Sequence, residues 1–189
     1  MRSQAPKAVF FDRDGVLNFD SGYVYRSNDC QLAPDLVESL EQLSKDGFLF
    51  FVITNQSGVA RGLYKLSDVE NFHSELQKQL SILNPLLKFS EIYVCPHLPQ
   101  GVIKEYSIEC RCRKPGTLFL ETAQAKYQLD LSESWFIGDR ENDIECGLAK
   151  GLRTIQVKTF GSKQYHLSPK AHLVCKTLAE ATKFILTRR

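Results

Sequence analysis

Apolar and polar positions change places along this chain in blocks the size of single secondary-structure elements. Ala8 to Phe11 is a compact apolar run ending in charge, which predicts a buried strand. Leu36, Val37, Leu40 and Leu43 recur at helical spacing and Gly47 follows as a stop. Phe48 to Ile53 predicts a second buried strand, cut off by the polar run Thr54-Asn55-Gln56-Ser57-Gly58. Ser67 predicts a helix N-cap with Glu70 completing a capping box, and Val69, Phe72, Leu76, Leu80 and Leu83 form the apolar face that follows. Glu91 to Cys95 predicts a third strand, residues 96–112 a long loop, and Thr117 to Tyr127 a helix. Ser134 to Ile137 predicts a fourth strand, Glu141 to Lys150 a helix closed by Gly151, and Thr154 to Val157 a fifth strand. A sixth strand at Leu173 to Cys175 and a last helix at Thr177 to Leu186 complete the pattern, with a solvated loop over Lys163 to Lys170. Strands alternating with helices predict an α/β domain with a mainly parallel sheet. In such sheets ligands sit beyond the strand C-termini, so the polar clusters after strands one, two and four are where chemistry is expected.

The length of 189 residues predicts a single domain over 1–189. Lys and Arg outnumber Asp and Glu by only 24 to 22, without the basic surplus that binding a nucleic-acid backbone requires. The longest apolar run is Phe48 to Ile53, far short of the roughly 20 residues of a membrane span. Val9-Phe10-Phe11 is too short for a signal-peptide core. The expectation is a soluble, cytoplasmic, monomeric protein with no nucleic-acid or membrane partner.

Asp12 and Asp14 stand two residues apart at the end of strand one, a spacing that turns both carboxylates to one side if the backbone stays extended. One can act as nucleophile while the other moves protons, and Gly15 permits the tight turn that follows. Taken alone the pair also reads as an acidic turn capping a strand. It is joined by the donor-rich Thr54 to Gly58, by Arg113-Lys114-Pro115, and by Gly138-Asp139-Arg140-Glu141-Asn142-Asp143 after strand four. Clustered oxygen ligands suit Mg²⁺, and a lysine suits a phosphoryl group.

These motifs, Asp12-x-Asp14, Thr54, Lys114 and Gly138-Asp139-x-x-x-Asp143, resemble in their order the four motifs of the haloacid dehalogenase-like phosphatases, over about residues 8 to 160. The resemblance implies a Rossmann-like three-layer sandwich without a sizeable cap domain. It implies Asp12 as nucleophile, forming an aspartyl-phosphate, and Asp14 as acid and then base. Mg²⁺ would be bound by Asp12, by Asp14 through its main-chain carbonyl, and by Asp139, with Asp143 orienting the others. Thr54 and Lys114 would hold the phosphoryl group.

Cys95-x-His97 followed by Cys110-x-Cys112 supplies three thiolates and one imidazole, a closed tetrahedral shell for a structural Zn²⁺ that would clip the long loop. Cys30, Cys146 and Cys175 fit no such pattern, and Cys146 and Cys175 read as core residues. His73, His166 and His172 are assigned no role.

Among zinc-clipped members, Asn18 to Val24 and Thr54 to Gly62 look like the substrate loops of D-glycero-D-manno-heptose 1,7-bisphosphate 7-phosphatases. This likeness implies a sugar bisphosphate substrate, recognised by Asp20, Ser21, Gly22 and Tyr23, by Thr54, Asn55, Gln56 and Ser57, and by Arg113, Lys114 and Arg140. Two positions depart from the heptose pattern: Pro115 runs straight into Gly116-Thr117 where those enzymes usually carry a further Pro-Gly-Met, and Arg140 stands where they commonly carry lysine, as in histidinol-phosphate phosphatases, the alternative reading. A phospho-ligand binding module without turnover is the non-enzymatic alternative, and the intact Asp12 argues against it.

Overall fold

The structure, a computed structural model, describes residues 5–158, 160–161 and 166–188. Its centre is a six-stranded, wholly parallel sheet in the order β3-β2-β1-β4-β5-β6. The strands are β1 (Lys7–Phe11), β2 (Phe48–Asn55), β3 (Glu91–Cys95), β4 (Trp135–Gly138), β5 (Arg153–Val157) and β6 (Leu173–Cys175). The helices are α1 (Leu36–Lys45), α2 (Leu66–Leu83), α3 (Leu118–Tyr127), α4 (Glu141–Leu148) and α5 (Leu178–Thr187).

The near-continuous apolar character of β1 and β2 follows from burial on both faces. Val9, Phe11, Phe50 and Val52 pack into one layer with Leu36, Leu40 and Leu43 of α1, Phe72, Leu76 and Leu80 of α2, and Leu178, Ala181 and Ile185 of α5. Ala8, Phe10, Phe51, Ile53 and Phe136 pack into the other with Leu120 and Ala123 of α3 and Cys146 of α4. The result is the three-layer α/β sandwich that the motif resemblance implied. Cys146 and Cys175 are buried in it, as expected.

Most bounds shift by one or two residues from the sequence expectation, β2 running on through Asn55 and α4 ending at Leu148, and the start of α2 shifts with a change of cap. α2 begins at Leu66 with Lys65 as its N-cap, so Ser67 lies inside the first turn instead of capping it. The Asp68 carboxylate accepts the Lys65 backbone N–H at 2.8 Å and fixes the earlier start. Of the loop expected over Lys163 to Lys170, residues 163–165 lie outside the described residues, and the rest is exposed apart from Ser168.

The strand order places the switch of chain direction between β1 and β4, where ligands of open α/β sheets bind. Two long connections stand over that edge, residues 12–35 and 96–117, and each contains only a short 3-10 turn, at Ser27–Asp29 and Lys104–Tyr106. Neither is a folded cap. Among the described residues no helix is long and apolar enough to cross a membrane.

Candidate active site

The backbone N–H of Asp12 donates to Ile137 O at 2.9 Å, carrying the β1–β4 pairing one step further and setting Asp12 over the switch point. Gly15 then turns the chain at φ +79°, a conformation that favours glycine. Lys114 reaches in from the opposite side. Its Nζ lies 2.6 Å from Asp12 Oδ1 and 2.7 Å from Asp143 Oδ1, and donates to Ile53 O at 2.6 Å. One carboxylate oxygen each from Asp12, Asp139 and Asp143 lie within 4.8 Å of one another, all three residues buried. Three buried carboxylates face Lys114 and the largely exposed Arg140, whose Nε lies 3.7 Å from Asp139, so negative charge is still in excess. Burial pushes the Asp12 carboxyl up, Lys114 pulls it back, and Asp143, Asp139 and Asp14 push it up again, so it stands above the usual range. Burial alone would lower Lys114, but Asp12 and Asp143 hold it firmly protonated. A hard divalent cation fits this donor set, because it would offset the excess charge with oxygen ligands already gathered.

Asp14 faces the same cavity and is held quite differently. Arg13, fully buried, grips it with both arms (Nε to Oδ1 2.9 Å, Nη2 to Oδ2 2.8 Å). Asn18 Nδ2 donates at 3.1 Å and Gln56 Nε2 at 2.8 Å. Burial works to raise this carboxyl, but the Arg13 charge and these hydrogen bonds bring it below the usual range. Arg13 in turn donates to Val24 O at 2.6 Å, meets His73 Nε2 at 3.2 Å, and stacks 4.3 Å over the Phe72 ring.

The polar run after β2 divides its work. Thr54, also buried, accepts from Gln56 Nε2 at 2.8 Å. Asn55 bonds the main chain of Lys114, and Gln56 is 2% exposed with its amide directed inward. Thr54, Asn55 and Ser57 line a cavity of about 100 Å³ with Asp12, Asp14, Arg113, Lys114, Arg140 and Asp143. A neighbouring lobe of about 230 Å³ is bounded by Asp14, Asp20, Gly22, Tyr23, Asn55, Gln56, Ser57, Tyr64 and Arg140. Ser21 is exposed and lines neither lobe. Asp20, buried, accepts from Gly22 N at 2.8 Å and pairs with Arg140 Nη2 at 3.4 Å, so it holds its own loop and steers the arginine. Concavities of about 490 Å³ elsewhere, such as the one lined by Lys7, Asp46, Phe48, Trp135 and Arg153 at the opposite ends of the strands, gather no such carboxylates.

Cys95, His97, Cys110 and Cys112 converge as their spacing predicted. The Sγ–Sγ separations are 3.3, 3.3 and 3.6 Å, and His97 Nδ1 stands 3.4 and 3.8 Å from Cys112 and Cys95. These exceed a disulfide bond and fall up to about 0.5 Å short of the roughly 3.8 Å edge of a tetrahedron with 2.3 Å Zn–S bonds, so the four side chains are gathered more tightly than a bound ion would hold them. Residues Asn55 and Cys95 are register partners at the ends of β2 and β3, and Gln56 N donates to Cys95 O at 2.7 Å. Arg113 Nη1 donates to His97 O at 3.2 Å. The cysteine cluster is thus bonded to the polar run on one side and to Arg113 on the other.

Sequence reasoning missed Arg13, passing over it as the spacer of Asp-x-Asp, and Tyr64. A lone basic residue between two acids at an apolar strand end was the available signal for the first. Nothing in the sequence pointed to the second, because the clash between a side chain at position 58 and Tyr64 shows only in the structure.

Residues 111–181 match the HAD-hydrolase-like family model. The chain is 34% identical over 185 residues, 97% of each protein, to D-glycero-beta-D-manno-heptose-1,7-bisphosphate 7-phosphatase of Photorhabdus laumondii. It is 33% identical to the D-glycero-alpha-D-manno-heptose enzyme of the same organism, over 84% of this chain and 86% of that one. The crystal structure of D,D-heptose 1,7-bisphosphate phosphatase from B. bronchiseptica, complexed with magnesium and phosphate, superposes with a TM-score of 0.81 at 26% identity, over 97% of this chain and 99% of that one. With relatives aligned over nearly its whole length and the four motif positions gathered at one sheet edge, the chain belongs to the haloacid dehalogenase-like phosphatases.

Proposed function

We propose that the chain, acting as one phosphatase domain, is a Mg²⁺-dependent enzyme that removes the 7-phosphate of D-glycero-D-manno-heptose 1,7-bisphosphate. The observation that carries this reading is the pairing of two lobes: a carboxylate and lysine cavity beside a second lobe with Arg140 on their shared wall. The first suits the phosphoryl group transferred. The second suits a sugar whose other phosphate Arg140 would anchor, with Arg113 on the wall of the first lobe.

Asp12 attacks phosphorus while the bond to the sugar oxygen breaks, giving an aspartyl-phosphate. Asp14 gives its proton to the departing oxygen, then takes one from the water that releases phosphate and regenerates Asp12. The ionised Asp14 held by Arg13 is the form needed for the second half. The negative charge of an arriving phosphoryl group favours protonation for the first. Lys114 and Thr54 hold the transferring group, and positioning with charge stabilisation supplies most of the rate in such reactions. Asp12, Asp139 and the main-chain carbonyl of Asp14 would hold Mg²⁺, with Asp143 bracing Lys114; the ion offsets repulsion between Asp12 and phosphate. Cys95, His97, Cys110 and Cys112 would hold a structural Zn²⁺.

The test is Mg²⁺-dependent phosphate release from heptose 1,7-bisphosphate and histidinol phosphate side by side. A higher kcat/KM for the bisphosphate supports the reading. Preference for histidinol phosphate would make Arg140 the better guide and overturn it.

A further inference from the structure

Gln56 has its amide committed inside the protein. Its two N–H groups go to Asp14 Oδ2 and Thr54 Oγ1, both at 2.8 Å, and its Oε1 accepts the Tyr64 hydroxyl at 2.8 Å. A glutamine amide has two donor hydrogens, so none is left for a ligand. The orientation of the amide is fixed from both ends: an ionised Asp14 only accepts, and Tyr64 supplies a hydrogen to the oxygen.

Tyr64 is itself seated. A Cβ at Gly58 would lie 2.1 and 2.3 Å from two of its ring carbons and 2.5 Å from its hydroxyl oxygen, so only glycine lets the ring occupy that place. The Tyr25 ring stacks on it with centroids 4.7 Å apart. Burial is the main reason that the Tyr64 phenol is pushed up to about 12, which keeps it a donor. On the far side Asp14 is pinned by Arg13.

We infer that Tyr64 and Gln56 are positioning residues, a gauge that sets Asp14, which serves the departing oxygen, at a fixed separation from Thr54, which faces the phosphoryl group. This rests on the acid and base role proposed above for Asp14. The reaction itself is unchanged: the Asp12–phosphorus bond forms, the bond from phosphorus to the sugar oxygen breaks, and that oxygen takes the Asp14 proton. What the gauge contributes is where the proton donor stands.

The experiment follows release of the leaving group from two esters in a single turnover, before hydrolysis of the shared aspartyl-phosphate, in which Asp14 also acts. Heptose 1,7-bisphosphate has an alkoxide leaving group that needs a proton, whereas p-nitrophenyl phosphate releases p-nitrophenolate, which needs none. Tyr64→Phe keeps the ring on Gly58 and deletes only the hydroxyl. It should slow the sugar ester about tenfold, the scale of one lost hydrogen bond, and the aryl ester at most about twofold, with KM moved less than about twofold. Gln56→Leu should widen the gap to about a hundredfold, within the range of general acid catalysis. Equal losses on both esters, no loss, or a loss residing in KM would overturn the inference. If the parent enzyme prefers histidinol phosphate, that alkyl ester takes the sugar's place, so a wrong substrate and a wrong gauge give different results. A parent inactive on both alkyl esters would remove the role of Asp14 and the inference with it.

Discussion

The side chain of Asn55 closes a two-way grip on the main chain of Lys114: its Nδ2 donates to Lys114 O at 3.1 Å, and Lys114 N donates to its Oδ1 at 3.0 Å. An asparagine side chain here imitates a strand partner, tying the end of β2 to a residue far along the sequence. Asn55→Ala should leave Lys114 present but loosely placed. The expected result is a kcat lowered about ten- to a hundredfold, the cost of misplacing the group proposed to bind the phosphoryl, measured by steady-state kinetics. An unchanged kcat would mean that Lys114 is positioned by its ion pairs alone.

Asp12→Asn removes the proposed nucleophile, one of three clustered carboxylates of which two pair with Lys114. Turnover should fall by at least about 10⁴-fold. Relief of like-charge repulsion should leave the melting temperature of the metal-free protein level or raised. Calorimetry beside a phosphate-release assay reads both, and substantial residual turnover would exclude Asp12 as nucleophile.

Metal analysis should find about one zinc per chain that resists removal of Mg²⁺. Stripping it with a strong chelator should lower the melting temperature on the order of 10 °C and open residues 96–112 to protease. Activity should fall as well, because Arg113 is bonded to the carbonyl of His97. A zinc-free protein with the same melting temperature and protease resistance would contradict the clip.

How far the sequence foretold this architecture depended on whether the signal was local. The bounds of β3 and β6 match the expectation because each is a short apolar run with clear polar flanks. The metal-like cysteine spacing was equally legible. The start of α2 was misplaced because Ser67 and Asp68 are both good first-turn acceptors, and spacing alone does not say which one engages the backbone. Tyr64 and the inward turn of Asn55 and Gln56 were not legible, and Arg13 was signalled only by its place between two acids. Asn55 and Gln56, which read as contacts for a ligand, also bond Lys114, Asp14 and Tyr64, partners that their own place in the sequence does not announce.

His73 predicts an acid-side weakness. Burial first, then the neighbouring Arg13, pushes its imidazole down from 6.5 to about 3, with Asp14 opposing. It therefore stays neutral and can accept from Arg13. Between those values the unfolded chain holds a proton that the folded protein lacks, so stability rises with pH through that window. Going from pH 7 to pH 5 should cost about 2 kcal/mol from this group, seen as a lower urea midpoint. His73→Gln, which can still accept from Arg13, should flatten the slope. A variant with the parent's slope would place the proton uptake elsewhere.

The most direct measurement is ³¹P NMR of heptose 1,7-bisphosphate during turnover with Mg²⁺. The account predicts that the C7 ester resonance disappears as inorganic phosphate grows, while the anomeric C1 phosphate persists in the product. Loss of the C1 resonance first, or an unchanged spectrum under conditions where histidinol phosphate is consumed, would contradict it.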